Sequence, residues 1–504
     1  LSSESAREKV NQQYFSNESN LENYKEKSVK SGLITVYAQA AKFSLYMISN
    51  ILLARFLEPT DYGLMGMVMS VIGFITLFRD MGLSSATIQK AHISHEQTST
   101  IFWLNSFISL FVTLIAIVIS PLISSFYSEP RLTLLTCCLS IGILLGGLGT
   151  QHSALLQRKM HITSFVLIDL FSLIIGTISG IYSAKTGLGY WSLAIYPLTT
   201  TAVNTLGLWI VCRWRPGFPM WNSEIYSMLI FGGNITGFNI LNYLSRNLDN
   251  ILIGKFWGSQ SLGLYAKAYQ ITLIPLTQIN SSISTFSIPL LSRLIEDPEH
   301  YRSTYLKLLK LISLLTMPTM ICLITTSDLL IKLLLGEKWL AMNSILIWLG
   351  CTGMFQPIAS SVGWLFITQN RTKELFYWGI ITSVITIASF VFGLPWNAIG
   401  VAISYSLVMT FIVIPILFWY VGRKGPIYPI DFYSAIYPAV ISAVTTLLVI
   451  KCLKLMYSDM SVRIEIECIF IFFTVFIIFL GILLSFPKER KFLSELYTAI
   501  QEGF

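Results

Sequence analysis

Apolar residues run almost end to end through this chain, interrupted at intervals by short clusters of charged, Gly or Pro residues. A membrane core needs about 20 consecutive apolar residues per helix. On that length the first half predicts spans at 29–54, 64–82, 101–123, 131–155, 162–183 and 190–212. The second half predicts spans at 226–257, 262–292, 305–335, 342–367, 375–393 and 396–421, then a further pair at 434–456 and 464–486. The expected fold class is all-α integral membrane, with about fourteen transmembrane helices.

The expected organisation is a cytoplasmic tail at 1–28, a six-helix bundle at 29–221, a second at 222–421, an additional helix pair at 422–486 and a cytoplasmic tail at 487–504. An even number of crossings puts both termini on one side. Of the 34 Lys and Arg residues, 22 fall on that side and 11 on the other, with Lys42 in mid-span. By the positive-inside rule both termini are expected in the cytoplasm.

The chain also repeats itself. Ile51-Leu52-Leu53-Ala54-Arg55-Phe56 aligns, two hundred positions on, with Ile251-Leu252-Ile253-Gly254-Lys255-Phe256, and Gly63-Leu64 aligns with Gly263-Leu264. Six crossings separate the copies, so they enter the membrane in the same direction as a parallel repeat. The substrate path is expected between the two bundles.

Polar residues inside the leading helix of each bundle follow the same offset. Thr35, Gln39, Lys42, Tyr46 and Asn50 lie on one helical face. Asn239, Asn242, Arg246 and Asn250 occupy the positions equivalent to the last four, with Asp249 three residues from Arg246. A charge at a helix centre costs about 2.5–3.5 kcal/mol on insertion scales, so such residues face a bundle interior or a wet cavity. Lys42, Asp169, Arg246 and Asp249 are the clearest cases, with Arg79 and Asp80 nearer the cytoplasmic end of the second helix.

Each has two readings. Arg246 and Asp249 are spaced to form an ion pair, structural or functional. Lys42 has no acidic neighbour in its own helix, which favours a ligand role. Arg79 and Asp80 either belong to the site or end their helix by snorkelling to the interface. The expected substrate contacts are Lys42, Arg246, Gln39, Tyr46, Asn50, Asn239, Asn242 and Asn250. Asp169, Asp249, Arg79 and Asp80 are expected as coupling or structural charges.

Composition narrows the function classes. Residues are 54% hydrophobic and 12% charged, and mean hydropathy is +0.66. With no long hydrophilic stretch after the first thirty residues, there is no room for a soluble catalytic domain. The net charge of +8 follows from cytoplasmic Lys and Arg and implies no nucleic-acid partner. The seven cysteines have neither metal nor disulfide spacing and read as small hydrophobes. His92 and His95 have metal-compatible spacing, but without a third ligand they read as a solvated loop. No metal, cofactor or catalytic residue is expected. Leu1 to Lys30 is polar, with no apolar core region, and reads as neither a signal nor a transit peptide.

Several segments are recognisable in order. They are Asp80-Met81-Gly82-Leu83-Ser84-Ser85-Ala86-Thr87-Ile88-Gln89, Phe102-Trp103-Leu104-Asn105, Ala154-Leu155-Leu156-Gln157-Arg158-Lys159-Met160 and Trp214-Arg215-Pro216. In the second bundle, Asp249-Asn250-Ile251-Leu252-Ile253-Gly254 and Leu262-Gly263-Leu264-Tyr265-Ala266-Lys267-Ala268-Tyr269 continue the series. Over residues 30–290 the chain resembles the polysaccharide transporters of the multidrug/oligosaccharidyl-lipid/polysaccharide superfamily, in their Wzx-type colanic-acid and teichuronic-acid branch.

The resemblance implies two bundles around a central cavity in a bacterial inner membrane. It implies export of undecaprenyl-pyrophosphate-linked oligosaccharide units by alternating access. Lipid and the machinery of polysaccharide polymerisation and chain-length control are the implied partners. A cation-coupled drug or small-molecule antiporter on the same fold is the alternative, and predicts an acidic cavity. A repeat-unit polymerase or ligase predicts a long periplasmic loop carrying Arg and His, and no outer loop here has that length.

Overall fold

In hydrocarbon, every backbone N–H and C=O must bond within its own segment, which leaves the helix as the element this composition permits. The computed structural model describes residues 21–80, 83–89, 93–220, 223–456 and 463–501, without the side chains of 21–33, 80, 85–86, 89, 223–242, 244–245 and 499–500. Every regular element among the described residues is helical.

Ten segments among the described residues have the length and hydropathy of a membrane crossing. The longest, Thr372–Gly422, is broken at Leu394–Trp396 and holds two crossings. Leu21–Phe56 adds one and the two arms of Ser223–Arg293 add two more, which makes the fourteen expected helices. The chain is a multi-pass membrane protein.

Packing divides it into two units, Leu1–Gly263 and Leu264–Phe504. The first unit holds α1 (Leu21–Phe56), α2 (Pro59–Asp80), α3 (Leu83–Gln89), α4 (His95–Tyr127), α5 (Arg131–Arg158), α6 (Ile162–Lys185), α7 (Trp191–Cys212) and the first arm of α8 (Ser223–Arg293). Inside it α4 packs on α5, α5 on α7, α6 on α7 and α1 on α6. Small residues permit this. A Cβ at Gly147 would lie 2.0 Å from Ser109 Oγ, and one at Gly176 would lie 1.9 Å from Thr200 Oγ1. Helices in lipid associate through such close contacts because no hydrophobic force drives them together.

α4 begins with a capping box in which Ser94 Oγ accepts from the Gln97 N–H and Gln97 Oε1 accepts from the Ser94 N–H. α8 is interrupted at Gly258, whose φ of 76° is open to glycine at little cost. The repeat in the sequence begins near 222, whereas packing divides the chain at Gly263. The reason is that the arm before Gly258 lies on α2, where the Tyr243 hydroxyl donates to the carbonyls of Met69 and Ser70.

The repeat is also visible as a contact. A Cβ on Gly63 would lie 1.7 Å from the Ser259 carbonyl oxygen, and one on Gly263 would lie 1.8 Å from that of Pro59. The two glycines and their two partners are each two hundred positions apart, so the turns meet through equivalent residues.

The second unit contains the rest of α8 and α9 (Pro298–Thr325), α10 (Ser327–Leu330), α11 (Asn343–Gly353), α12 (Gln356–Thr368), α13 (Thr372–Gly393), α14 (Asn397–Val408), α15 (Ile414–Gly422), α16 (Pro429–Met456), α17 (Ile464–Leu483) and α18 (Pro487–Gln501). α16 and α17 are the expected additional pair. α9 packs against α11, α12, α16 and α17. The Phe418 and Phe432 rings stack at 4.5 Å, and Tyr305 and Ser361 share a buried hydrogen bond of 3.0 Å. The amphipathic α18 is tied to α9 by Lys307 to Glu495 at 2.8 Å and Lys310 to Glu489 at 2.5 Å.

Candidate functional site

The site starts from missing side chains. On α5, a Cβ at Gly146 would meet Arg79 Nη1 at 2.6 Å and one at Gly149 would meet Thr205 Oγ1 at 3.1 Å. Beside these glycines the first unit holds an open pocket of about 400 Å³, within the size range of small-molecule sites. Arg79 comes from α2, Ser84 and Ile88 from α3, and Thr150, Ser153 and Gln157 from α5. Asp169 comes from α6, and Thr200, Thr201 and Asn204 from α7.

Two of the recognisable segments meet here. Leu83–Gln89 forms α3, and Ala154 and Gln157 belong to the end of α5. Buried Gln151 donates to Thr87 Oγ1 at 3.0 Å, and Arg158 Nη1 donates to the Thr87 carbonyl at 2.9 Å. One threonine thereby anchors α3 as a wall of the pocket. A third segment lies beside it. His152 stacks on Trp209 at 4.3 Å and packs edge-on to Phe102 and Trp214, forming an aromatic cluster between α4, α5 and α7.

The main electrostatic feature is an ion pair. Lys42 Nζ on α1 donates to Asp169 Oδ2 on α6, and Asn204 Nδ2 lies 3.5 Å from Asp169 Oδ1. The two charged side chains are 18% and 39% exposed. Asp169 sits seven residues into α6, roughly 10 Å along its axis. The pair therefore carries its charges inside the bundle with each offset by the other.

Each residue expected at the site has a definite place. Lys42, Asp169 and Arg79 are gathered at the pocket or its edge. Gln39 is exposed, Tyr46 is 36% exposed, and Asn50 donates to the Tyr46 carbonyl of its own helix at 2.9 Å. Arg246 is exposed while Asp249 is 3% exposed, and among the described residues no salt bridge joins them. The Asp249 carboxylate accepts from the Asn250 N–H at 2.7 Å. The side chains of Asp80, Asn239 and Asn242 lie outside the described residues.

One expectation is corrected and one extended. Lys42 has no acidic neighbour in its own helix, and its partner Asp169 comes from a helix 127 positions away. His95 is not part of a solvated loop; it opens α4, and its Nδ1 accepts from Trp214 Nε1 at 3.1 Å. His92 lies outside the described residues.

The sequence also carried signals that its charges hide. Thr150, Ser153 and Gln157 recur at three and four positions, and Thr200, Thr201, Asn204 and Thr205 share one face of α7. Uncharged hydroxyl and amide residues cost less in a membrane helix than Lys or Asp, so they stand out less.

The family described as polysaccharide biosynthesis protein matches residues 52–344. The chain is 26% identical over 407 residues to the lipopolysaccharide biosynthesis protein WzxC of Escherichia coli (strain K12), covering 79% of this chain and 82% of the relative. It is 28% identical over 318 residues to the teichuronic acid biosynthesis protein TuaB of Bacillus subtilis (strain 168), covering 60% and 64%. Among solved structures it is similar to the lipid II flippase MurJ in an inward closed conformation, with a TM-score of 0.69, 18% identity, and coverage of 91% of this chain and 99% of that one. That likeness is one of fold. The family match spans more than half of the sequence, from α1 into the second unit, and on that ground this chain belongs to the family of polysaccharide biosynthesis proteins.

Proposed function

We propose that this protein is a flippase that carries polyprenyl-diphosphate-linked oligosaccharide units across the bacterial inner membrane for surface polysaccharide assembly. Membership of the polysaccharide biosynthesis family over 52–344 carries the reading. Relatives named for lipopolysaccharide and teichuronic acid biosynthesis support it, as does a fold similar to that of a lipid II flippase.

Transport proceeds by alternating access, with the bundles at 29–221 and 222–421 rocking about a fixed site. Lys42 and Arg246 hold the diphosphate. Gln39, Tyr46, Asn50, Asn239, Asn242 and Asn250 hydrogen-bond the cargo, and the polyprenyl tail stays in lipid. Asp169 orients Lys42 until the diphosphate replaces it as counter-ion. An inside-negative potential favours outward movement of an anion by about 2.3 kcal/mol per charge per 100 mV, or roughly 5 kcal/mol for two charges. Both termini lie in the cytoplasm, and the product passes to polymerising machinery on the outer face.

The alternative, a cation-coupled antiporter, calls for an acidic cavity. Asp169 is instead neutralised by Lys42, and Arg79 stands in the same pocket, which favours an anionic or neutral cargo. The test is deletion of the gene followed by analysis of lipid-linked sugars in spheroplasts. Intermediates accumulating on the inner leaflet, cleared by the wild-type gene, are expected. Loss of surface polysaccharide without that accumulation would refute the flippase reading.

A further inference from the structure

We infer that the pocket lined by α2, α3, α5, α6 and α7 is a subsite for the saccharide of the cargo, separate from the groups that hold its diphosphate. The inference rests on the flippase reading and deepens it. Its basis is the polarity of the lining.

Charge alone does not choose the ligand. Among the described lining residues there is one cation, Arg79, and one anion, Asp169, whose carboxylate Lys42 offsets.

Hydrogen-bonding capacity decides further. The hydroxyl of Thr150 donates to the Gly146 carbonyl at 2.9 Å, that of Thr200 to Tyr196 at 2.8 Å, and that of Thr205 to Leu145 at 2.9 Å. With their protons committed to the backbone, these oxygens offer lone pairs only. Asp169 likewise only accepts, while Arg79 and the amide of Asn204 donate. A phosphate oxyanion has no proton to give and leaves the acceptors of Thr150, Thr200, Thr205 and Asp169 unmatched. A sugar hydroxyl both donates and accepts, and meets both kinds of group.

Position and size agree. The volume of about 400 Å³ accommodates a short run of sugar rings rather than a polyprenyl chain. Asp169 also ties the subsite to the cationic group proposed for the diphosphate, because Lys42 bonds to one carboxylate oxygen while Asn204 lies nearest the other. A saccharide in the pocket and a diphosphate on Lys42 would therefore contact opposite sides of one residue.

The experiment uses the full chain in nanodiscs and two probes, the lipid-linked oligosaccharide extracted from the producing strain and undecaprenyl diphosphate without sugar. The variants are Thr201→Val and Asn204→Leu, which keep volume and remove hydrogen-bonding groups. Both are checked for yield and thermal stability, with Thr150→Val as a further isosteric variant if one misfolds. Each is expected to weaken binding of the glycosylated lipid about five- to tenfold, the scale of one lost hydrogen bond, and to leave binding of the sugar-free lipid unchanged. Equal weakening for both lipids would assign the pocket to the diphosphate and overturn the inference. Unchanged binding of both by stable variants would also overturn it. Absence of binding by the wild type to either lipid would count against the flippase reading instead, so the two failures are distinguishable.

Discussion

Lys42 and Asp169 form an ion pair across the packed face of α1 and α6, joining helices separated by most of the first bundle. Two charges expected to act apart are one unit. Asp169→Asn or Lys42→Met leaves a partly buried charge uncompensated and is expected to cost about 1–2 kcal/mol. Exchanging both residues, Lys42→Asp with Asp169→Lys, restores most of that stability in thermal unfolding of purified protein. Export does not recover, because the cation then stands on the wrong helix. Full export by the exchanged protein would reduce the pair to a structural one.

The reciprocal contact of Gly63 with Ser259 and Gly263 with Pro59 yields a non-additive prediction. Alanine at either glycine forces the turns apart and is expected to cost about 1–3 kcal/mol. One displacement relieves both clashes, so the double substitution should cost clearly less than the sum of the two. Additive losses in unfolding midpoints would mean that the two contacts relax independently.

Thr87 offers a test of what positions α3. Thr87→Val removes the acceptor of Gln151, which is 0% exposed, and is expected to cost about 1–3 kcal/mol. Because α3 contributes Ser84 and Ile88 to the pocket, export should fall further than the drop in folded protein explains. Parallel measurement of protein level and surface polysaccharide separates the two effects.

The two ion pairs that hold α18 differ in burial, and so should their importance. Glu489 is 5% exposed in its pair with Lys310, whereas Glu495 is 43% exposed in its pair with Lys307. Glu489→Gln is expected to destabilise by about 2 kcal/mol with little dependence on salt. Glu495→Gln is expected to change little at physiological ionic strength. The hydrogen bond from Lys307 holds the Glu495 carboxyl below its usual range. That contact is therefore complete at neutral pH and is lost only as pH falls through the depressed value. Unfolding curves at two salt concentrations and two pH values check both statements.

The helices themselves were legible from the chain. Apolar length alone marks α4, α5, α6 and α7, because a segment that must satisfy its own backbone in lipid has one regular conformation open to it. The break at Gly258 was legible too, since it falls between the spans expected at 226–257 and 262–292. The short α3 was not, because it depends on the hydrogen bonds to Thr87, which hydropathy does not record.

By itself, the sequence determined that the protein is helical and membrane-spanning, that its two halves repeat, and that a few charges and polar rows are costly to place against lipid. Only tertiary structure decided which of those groups meet. Lys42 finds its counter-ion on α6, and the polar faces of α5 and α7 join Arg79 and α3 around one pocket. The physical reason is that solvation cost depends on composition along a segment, and so can be read locally. Pairing depends instead on which helix faces come within hydrogen-bond distance, and packing between residues far apart in the chain sets that.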